Sequence, residues 1–394
     1  MRDYPFVKTE ILLPHSGFEK WACIACDQFT SEPGYWLEAA RIAGDSPSAL
    51  KCILPEVWLG NDDERRVSEI NANMREYLGG GVFEEFRDSM IYVERELPDG
   101  SVRHGVVGAV DLEAYDYNAG SVSEVRATEA TVIERIPPRV AIRRSAPIEL
   151  PHIMLLCDDP KGEVIESIEP EKRNLRKVYD FELMQGGGRI RGWLIERKDA
   201  DRISEAVSAL PHGNNTPLIA VGDGNHSLAS AKECYRQNPT ERNRYALAEL
   251  INIHDPALVF EPIYRVVFGC DTDELISLAK KSIPEGKTRI VYYTETTEGE
   301  FSIDGLPADL LQKVIDAYVA GRPDAYCDYV HGEDSAISLA RSGPGIAAFL
   351  FAGMDKSELF PYVAEHGALP RKTFSMGEAR SKRYYVEARR IDPV

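Results

Sequence analysis

No apolar run in this chain approaches the ~20 residues a membrane-spanning helix needs. The opening Met1-Arg2-Asp3-Tyr4-Pro5 has no apolar core of a signal peptide, so a cytoplasmic protein is expected. Cysteine is sparse. Of the 7 cysteines the close pair is Cys23 and Cys26, and no second pair stands at zinc-ribbon spacing. Buried reduced thiols are therefore expected rather than a metal or redox centre. Positive charge is in deficit: a formal net charge of −18 repels nucleic acid and anionic membrane unless cations gather locally. Also missing are a Walker-type Gly-Lys-Ser or Gly-Lys-Thr ending and a G-x-G-x-x-G after a strand, which excludes the P-loop and the dinucleotide fingerprint. The glycine run Gly186-Gly187-Gly188, followed by Arg189 and Arg191, reads as a plain turn.

What remains is the composition of a globular enzyme-sized protein. Hydrophobic content is 43% and aromatic content 9%, against disorder and against a fibrous chain. A length of 394 residues suits two or three domains of roughly 100 to 200 residues each. Helices are expected from Pro33 to Arg41, Ser68 to Leu78 and Ala200 to Leu210. Met90–Glu96 and Val102–Val110 flank Pro98-Asp99-Gly100, a hairpin whose Asp-Gly supplies the positive φ of a tight turn. His152–Cys157 and Val164-Ile165 around Asp158-Asp159-Pro160 suggest a second hairpin. Tyr245–His254 is strand or helix, and Leu258–Phe268 a strand kinked at Pro262. From Asp271 helices and strands alternate, as in a separate α/β unit.

One stretch concentrates chemistry. Pro217 to Val221 is apolar and β-branched, Gly222-Asp223-Gly224 breaks it, and a helix-forming run starts at about Ser227. A strand, tight loop and helix in that order bare the backbone N–H groups of the helix's first turn, which with the helix dipole favour an anion. Asp223 and His226 add a carboxylate and an imidazole at the same mouth. The pattern is met equally by a structural cap, with Asp223 or Asn225 closing the helix and the glycines making the turn. A second concentration runs from Val125 to Arg144, where Arg126, Arg135, Arg139, Arg143 and Arg144 gather around Glu129 and Glu134. Guanidinium forks suit phosphate or carboxylate; a salt-bridged surface has the same composition.

Laid side by side, His104-Gly105-Val106-Val107-Gly108, Thr128-Glu129-Ala130-Thr131, Asp223-Gly224-Asn225-His226, Glu261-Pro262-Ile263-Tyr264-Arg265 and Leu369-Pro370-Arg371-Lys372-Thr373-Phe374 resemble the family catalogued as domain of unknown function 1015 (DUF1015) over nearly the full length. The central box also resembles the Asp-Gly-x-His-Arg box of the ParB and sulfiredoxin-like superfamily, whose members hold nucleotide phosphates with it. Their activities include ATP-driven phosphoryl transfer, CTP hydrolysis and free-serine phosphorylation. Ser227 stands where that superfamily has arginine, so Arg126, Arg139 or Lys372 would supply the charge from elsewhere.

The resemblance implies an α/β (α+β) fold in which a mixed-sheet core carries the strand-loop-helix site. Its expected parts are an N-terminal α/β region over 1–115, a central ParB/sulfiredoxin-like domain over 116–270 and a C-terminal α/β domain over 271–394. It implies a nucleotide-dependent phosphoryl-transfer enzyme acting on a small hydroxylated, serine-like metabolite, with ATP or another nucleotide and Mg2+ as cofactors. A non-catalytic nucleotide-binding regulator is the alternative. Glu129, Asp223 and His226 are the expected catalytic residues, and Asp223 also a candidate Mg2+ ligand. Gly222, Gly224, Asn225, Ser227, Arg126, Arg139 and Lys372 are the expected phosphate ligands. Nucleotide and small-molecule substrate are the expected partners, with no membrane and no nucleic acid; a homo-oligomer is compatible with the sequence.

Overall fold

The computed structural model describes residues 4–60, 62–118, 120–129, 136–213 and 215–394. Ala130, Thr131, Glu134 and Arg135 of the motifs above lie outside the described residues. The chain divides into two units. One comprises Met1–Leu258, Val363–Ala368 and Glu378–Val394, the other Val259–Tyr362 and Leu369–Gly377.

The first unit is built on an 11-stranded mixed sheet. Its order is Arg176–Glu182, Arg189–Glu196, Phe83–Glu96, Val102–Asp111, Tyr245–Asn252, Met154–Cys157, Ile219–Asp223, Val125–Ala127 and Tyr115–Asp116, with Phe6–Val7 and Thr9–Pro14 added off this path. The Asp-Gly hairpin forms as its turn residues dictate, Glu96 pairing with Val102. Side chains alternate between two buried layers. Ile91, Val93 and Val107 face one core together with Trp21, Trp36 and Met74. Tyr92, Val106 and Leu250 face the other, with Val207, Leu228 and Ala231 of the covering helices. Burial on both faces is why the central strands read as continuous apolar runs.

Several expectations change here. Strands from 1–115 and from 116–270 alternate within this single sheet, so the contacts join these regions in one unit. The C-terminal segment leaves the 271–394 region and returns to the first unit: Tyr384 pairs with Ile24, Tyr385 with Cys23, and Arg389 with Glu149. The hairpin expected around Asp158-Asp159-Pro160 does not form. Met154–Cys157 is flanked on both edges by Ile219–Asp223 and Tyr245–Asn252. The Asp159 carboxylate accepts the Val164 N–H at 2.8 Å, turning the chain into a short 3-10 turn at Glu166–Ile168 instead.

The second unit, which begins at Val259 and not at Asp271, is also built of helices and strands. Its antiparallel sheet runs Glu298–Ile303, Thr288–Tyr293, Ile346–Phe351, Phe260–Phe268, Tyr326–His331. Helices Thr272–Ser282 and Pro307–Ala320 pack on one face through Leu275, Leu311 and Ile315. Helix Glu333–Arg341 packs on the other through Ala336 and Ala340. Pro262 marks a change of partner along its strand, pairing with Phe374 while Ile263 pairs with His331. Among the described residues no helix is long and apolar enough to cross a membrane.

Candidate functional site

The strand Ile219–Asp223 runs directly into the helix Asn225–Gln237 through Gly224. A β-bulge falls at Gly222, because Val221 pairs with Leu155 and Asp223 with the adjacent Met154. Bulges of this kind re-aim the side chain that follows. Gly224 has φ +81°, and a Cβ there would lie 2.9 Å from the Ile153 Cα, so both backbone conformation and space require glycine. Gly224 is the N-cap residue, and having no side chain it makes no side-chain cap. Neither Asp223 nor Asn225 therefore acts as the cap that the pattern also allowed. Asp223 Oδ1 instead accepts the N–H of Gly224 at 2.8 Å. The buried Asn225 has its Oδ1 without a hydrogen-bond partner among the described residues, an arrangement that favours a ligand or water there.

Residues distant in sequence converge on this turn. Lys382, buried in the returning C-terminal segment, places Nζ 3.2 Å from Asp223 Oδ2. Buried His152 has Nδ1 2.7 Å from the Tyr385 hydroxyl and Nε2 3.5 Å from Asp27 Oδ2. Burial alone would push the His152 imidazole down, but the Asp27 carboxylate beside it, helped by Asp223, turns the shift upward. In the same way burial would raise Asp27, yet His152 and Lys382 hold it well below the usual carboxylate range. The tail is fixed from beneath by Arg383, whose Nη1 lies 2.9 Å from Glu249 Oε2 and whose Nη2 lies 2.5 Å from Glu387 Oε2, all three buried. Gly105 makes room for that network, since a Cβ would meet Glu249 Oε1 at 2.6 Å.

The expected site residues separate into groups. Glu129 follows the strand Val125–Ala127, which lies parallel to Ile219–Asp223 with Ala127 beside Val221. Thr128 Oγ1 donates to the Val221 carbonyl at 2.6 Å, so Glu129 leaves the sheet at the end where Asp223 leaves it. His226 and Ser227 occupy the first turn of the helix and are half-buried. Arg139, on the helix Ile136–Arg144, lines a cavity with Ser227, His152 and Tyr385, and pairs with Glu56. Arg126 does not come to the turn. Its Nε and Nη1 donate to the carbonyls of Ser123 (2.7 Å) and Asn215 (2.6 Å), which precede the two parallel strands. Lys372 belongs to the second unit, where its carbonyl accepts from Arg265 Nη1 at 3.0 Å.

Asp223 as a Mg2+ ligand does not fit this arrangement. Its two oxygens are engaged by the Gly224 N–H and the Lys382 ammonium, and the ammonium stands where a cation would bind. Among the described residues, ligand atoms at metal spacing are found on Glu94, His104 and Glu169 instead, where Lys172 Nζ already pairs with Glu94 and Glu169. Asp27, His152, Lys382 and Tyr385 were not singled out from the sequence. The signal available was the pair Lys382-Arg383 followed by Tyr384-Tyr385 in an acidic chain.

A family model described as protein of unknown function (DUF1015) matches residues 8–318. The chain belongs to the DUF1015 family. This DUF1015 chain matches no curated protein. Among solved structures it is similar to a free serine kinase in complex with AMP, at 13% identity and TM-score 0.39, covering 71% of this chain and 92% of that one. It is similar to a conserved hypothetical protein from Pyrococcus furiosus, at 12% identity and TM-score 0.36, covering 66% of this chain and 89% of that one. It is also similar to C-terminally truncated SbnI from Staphylococcus aureus, at 11% identity and TM-score 0.35, covering 72% and 81%. These likenesses are distant, and the functional reading of the DUF1015 chain rests on its own groups.

Proposed function

We propose that this protein is a nucleotide-dependent phosphoryl-transfer enzyme acting on a small hydroxylated metabolite. The observation that carries the reading is the glycine-only turn at Gly224, which opens a 13-residue helix with an N-cap residue that has no side chain. Backbone N–H groups at such an end are preorganised for phosphate oxygens. In this reading the first turn, Asn225 to Ser227, receives the phosphates, with donors from His226 and Ser227. Lys382 supplies a fixed positive charge, held in place by Asp223. Arg139 supplies a second from the cavity wall. Glu129 takes the proton of the acceptor hydroxyl. Phosphoryl transfer needs mostly positioning and stabilisation of spread negative charge, and this set offers both. Lys372 enters the reading through the Leu369–Phe374 motif alone.

A second reading is a nucleotide-binding regulator without catalysis. It is favoured by the engagement of both Asp223 oxygens, which leaves that carboxylate a structural group. Calorimetric titration with nucleoside triphosphates and turnover assays with hydroxylated amino acids separate the two. Binding with turnover that His226→Ala lowers supports the enzyme, and binding without turnover supports the regulator. Absence of binding removes both.

A further inference from the structure

The cavity beneath the helix start has a chemistry of its own. It measures about 130 Å³ and reaches from Ser227 and His152 to a wall of Ile53, Leu54, Leu59, Met74, Ile142 and Ile148. An engineered apolar cavity of roughly 150 Å³ holds benzene, which sets the scale of what fits. Most of its charged side chains are engaged in ion pairs or hydrogen bonds. Glu149 Oε1 accepts from Arg389 Nε at 2.6 Å and from the Leu247 N–H at 2.9 Å, while Arg143 Nη1 is ion-paired 2.6 Å from Oε2. Arg139 pairs with Glu56, the Ser230 hydroxyl donates to the His226 carbonyl at 2.7 Å, and the Tyr385 hydroxyl lies on His152. Burial pushes the Cys26 thiol up to about 12, so it stays protonated and weakly polar.

Away from the helix start the wall is apolar, and its buried polar atoms without a hydrogen-bond partner among the described residues are Glu149 Oε2 and His152 Nε2, which is little to read the edge of a nucleobase or the several polar groups of free serine. It suits an apolar body. The hydroxyl of such a molecule would face the turn, because Ile153 packs on Gly224, His152 precedes it and Ser227 sits in the first helical turn.

We infer that this cavity is the acceptor pocket, and that the acceptor is a hydroxylated compound whose apolar group is about the size of a phenyl ring or a branched aliphatic chain. The step rests on the phosphoryl-transfer reading. The acceptor hydroxyl oxygen forms a new bond to the terminal phosphorus of a nucleoside triphosphate. The bond from that phosphorus to the bridging oxygen breaks, its electron pair leaving with the nucleoside diphosphate, and the hydroxyl proton passes to Glu129.

The test is calorimetric titration of the full chain with 3-phenylserine, serine and ATP, using wild type, Leu59→Trp and Ile142→Trp. Both substituted residues are only partly buried, and circular dichroism checks that the variants fold. The expected result is phenylserine binding about tenfold tighter than serine in wild type and weakened about tenfold by either filling substitution, with ATP affinity unchanged. Phenylserine binding no tighter than serine, or unaffected by filling, overturns the assignment. Loss of ATP affinity in both filled variants places the nucleobase in the cavity and overturns it as well. Phenylserine binding that follows the filling, with no ATP bound by wild type, upholds the pocket's ligand class and contradicts the phosphoryl-transfer reading.

Discussion

Lys382 holds its ammonium 3.2 Å from the Asp223 carboxylate, tying the returning C-terminal segment to the turn ahead of the helix Asn225–Gln237. The lysine is buried and the aspartate only partly exposed, so each depends on the other for solvation. Lys382→Met is expected to lower stability by about 1–3 kcal/mol, because it leaves a carboxylate short of its partner. It also removes the fixed cation of the proposed phosphate site. Urea denaturation measures the first effect and nucleotide titration the second, and both are expected to fall.

Gly224→Ala places a Cβ 2.9 Å from the Ile153 Cα at φ +81°. The expected cost is about 1–3 kcal/mol, read by denaturant midpoint. An alanine accepted without loss would mean that the turn relaxes, and would remove the argument for a rigid anion cradle.

The pair His152 and Asp27 sets a pH dependence. The folded state raises the His152 imidazole above its ordinary 6.5. Its stabilising contribution is therefore fully present below about 6.5 and is lost as pH rises through the folded value. Asp27 is depressed below its ordinary 3.8, so its contribution persists above that value and is lost only in stronger acid. The advantage of wild type over His152→Gln is expected to shrink between about pH 6 and about pH 9. Denaturant titrations at the two pH values measure it, and a constant difference would show that the imidazole is not charged in the folded state.

Arg126 and Arg139 are expected to behave differently. Arg126 serves the carbonyls of Ser123 and Asn215, so Arg126→Ala should cost about 1–3 kcal/mol of stability and leave nucleotide affinity intact. Arg139 lines the cavity beside Ser227, and Arg139→Ala should weaken nucleotide binding. The opposite pattern in paired titrations would restore Arg126 to the site.

The local features were legible in the sequence. The Asp-Gly hairpin, the strand-loop-helix at Gly222–Ser227 and the alternating elements after Asp271 depend on near neighbours, and the structure has them where turn chemistry and periodicity place them. The long-range ones were not. Lys382, Asp27 and His152 reach the turn through pairings such as Tyr384 with Ile24, which no local period encodes. Arg126 looked like a phosphate ligand because its guanidinium is the right chemistry, but which carbonyls lie within its reach is decided by the parallel pairing with Ala220. Asp223 looked like a metal ligand until a lysine far along the chain took the cation's place.

The central claim is that the helix start at Gly224 binds nucleotide phosphate. Calorimetric titration of ATP into wild type and Gly224→Ala tests it most directly, with circular dichroism confirming that the variant is folded. Saturable binding by wild type, weakened about tenfold or more in the variant, is the expected result. Equal binding by both proteins, or none by wild type, would contradict it.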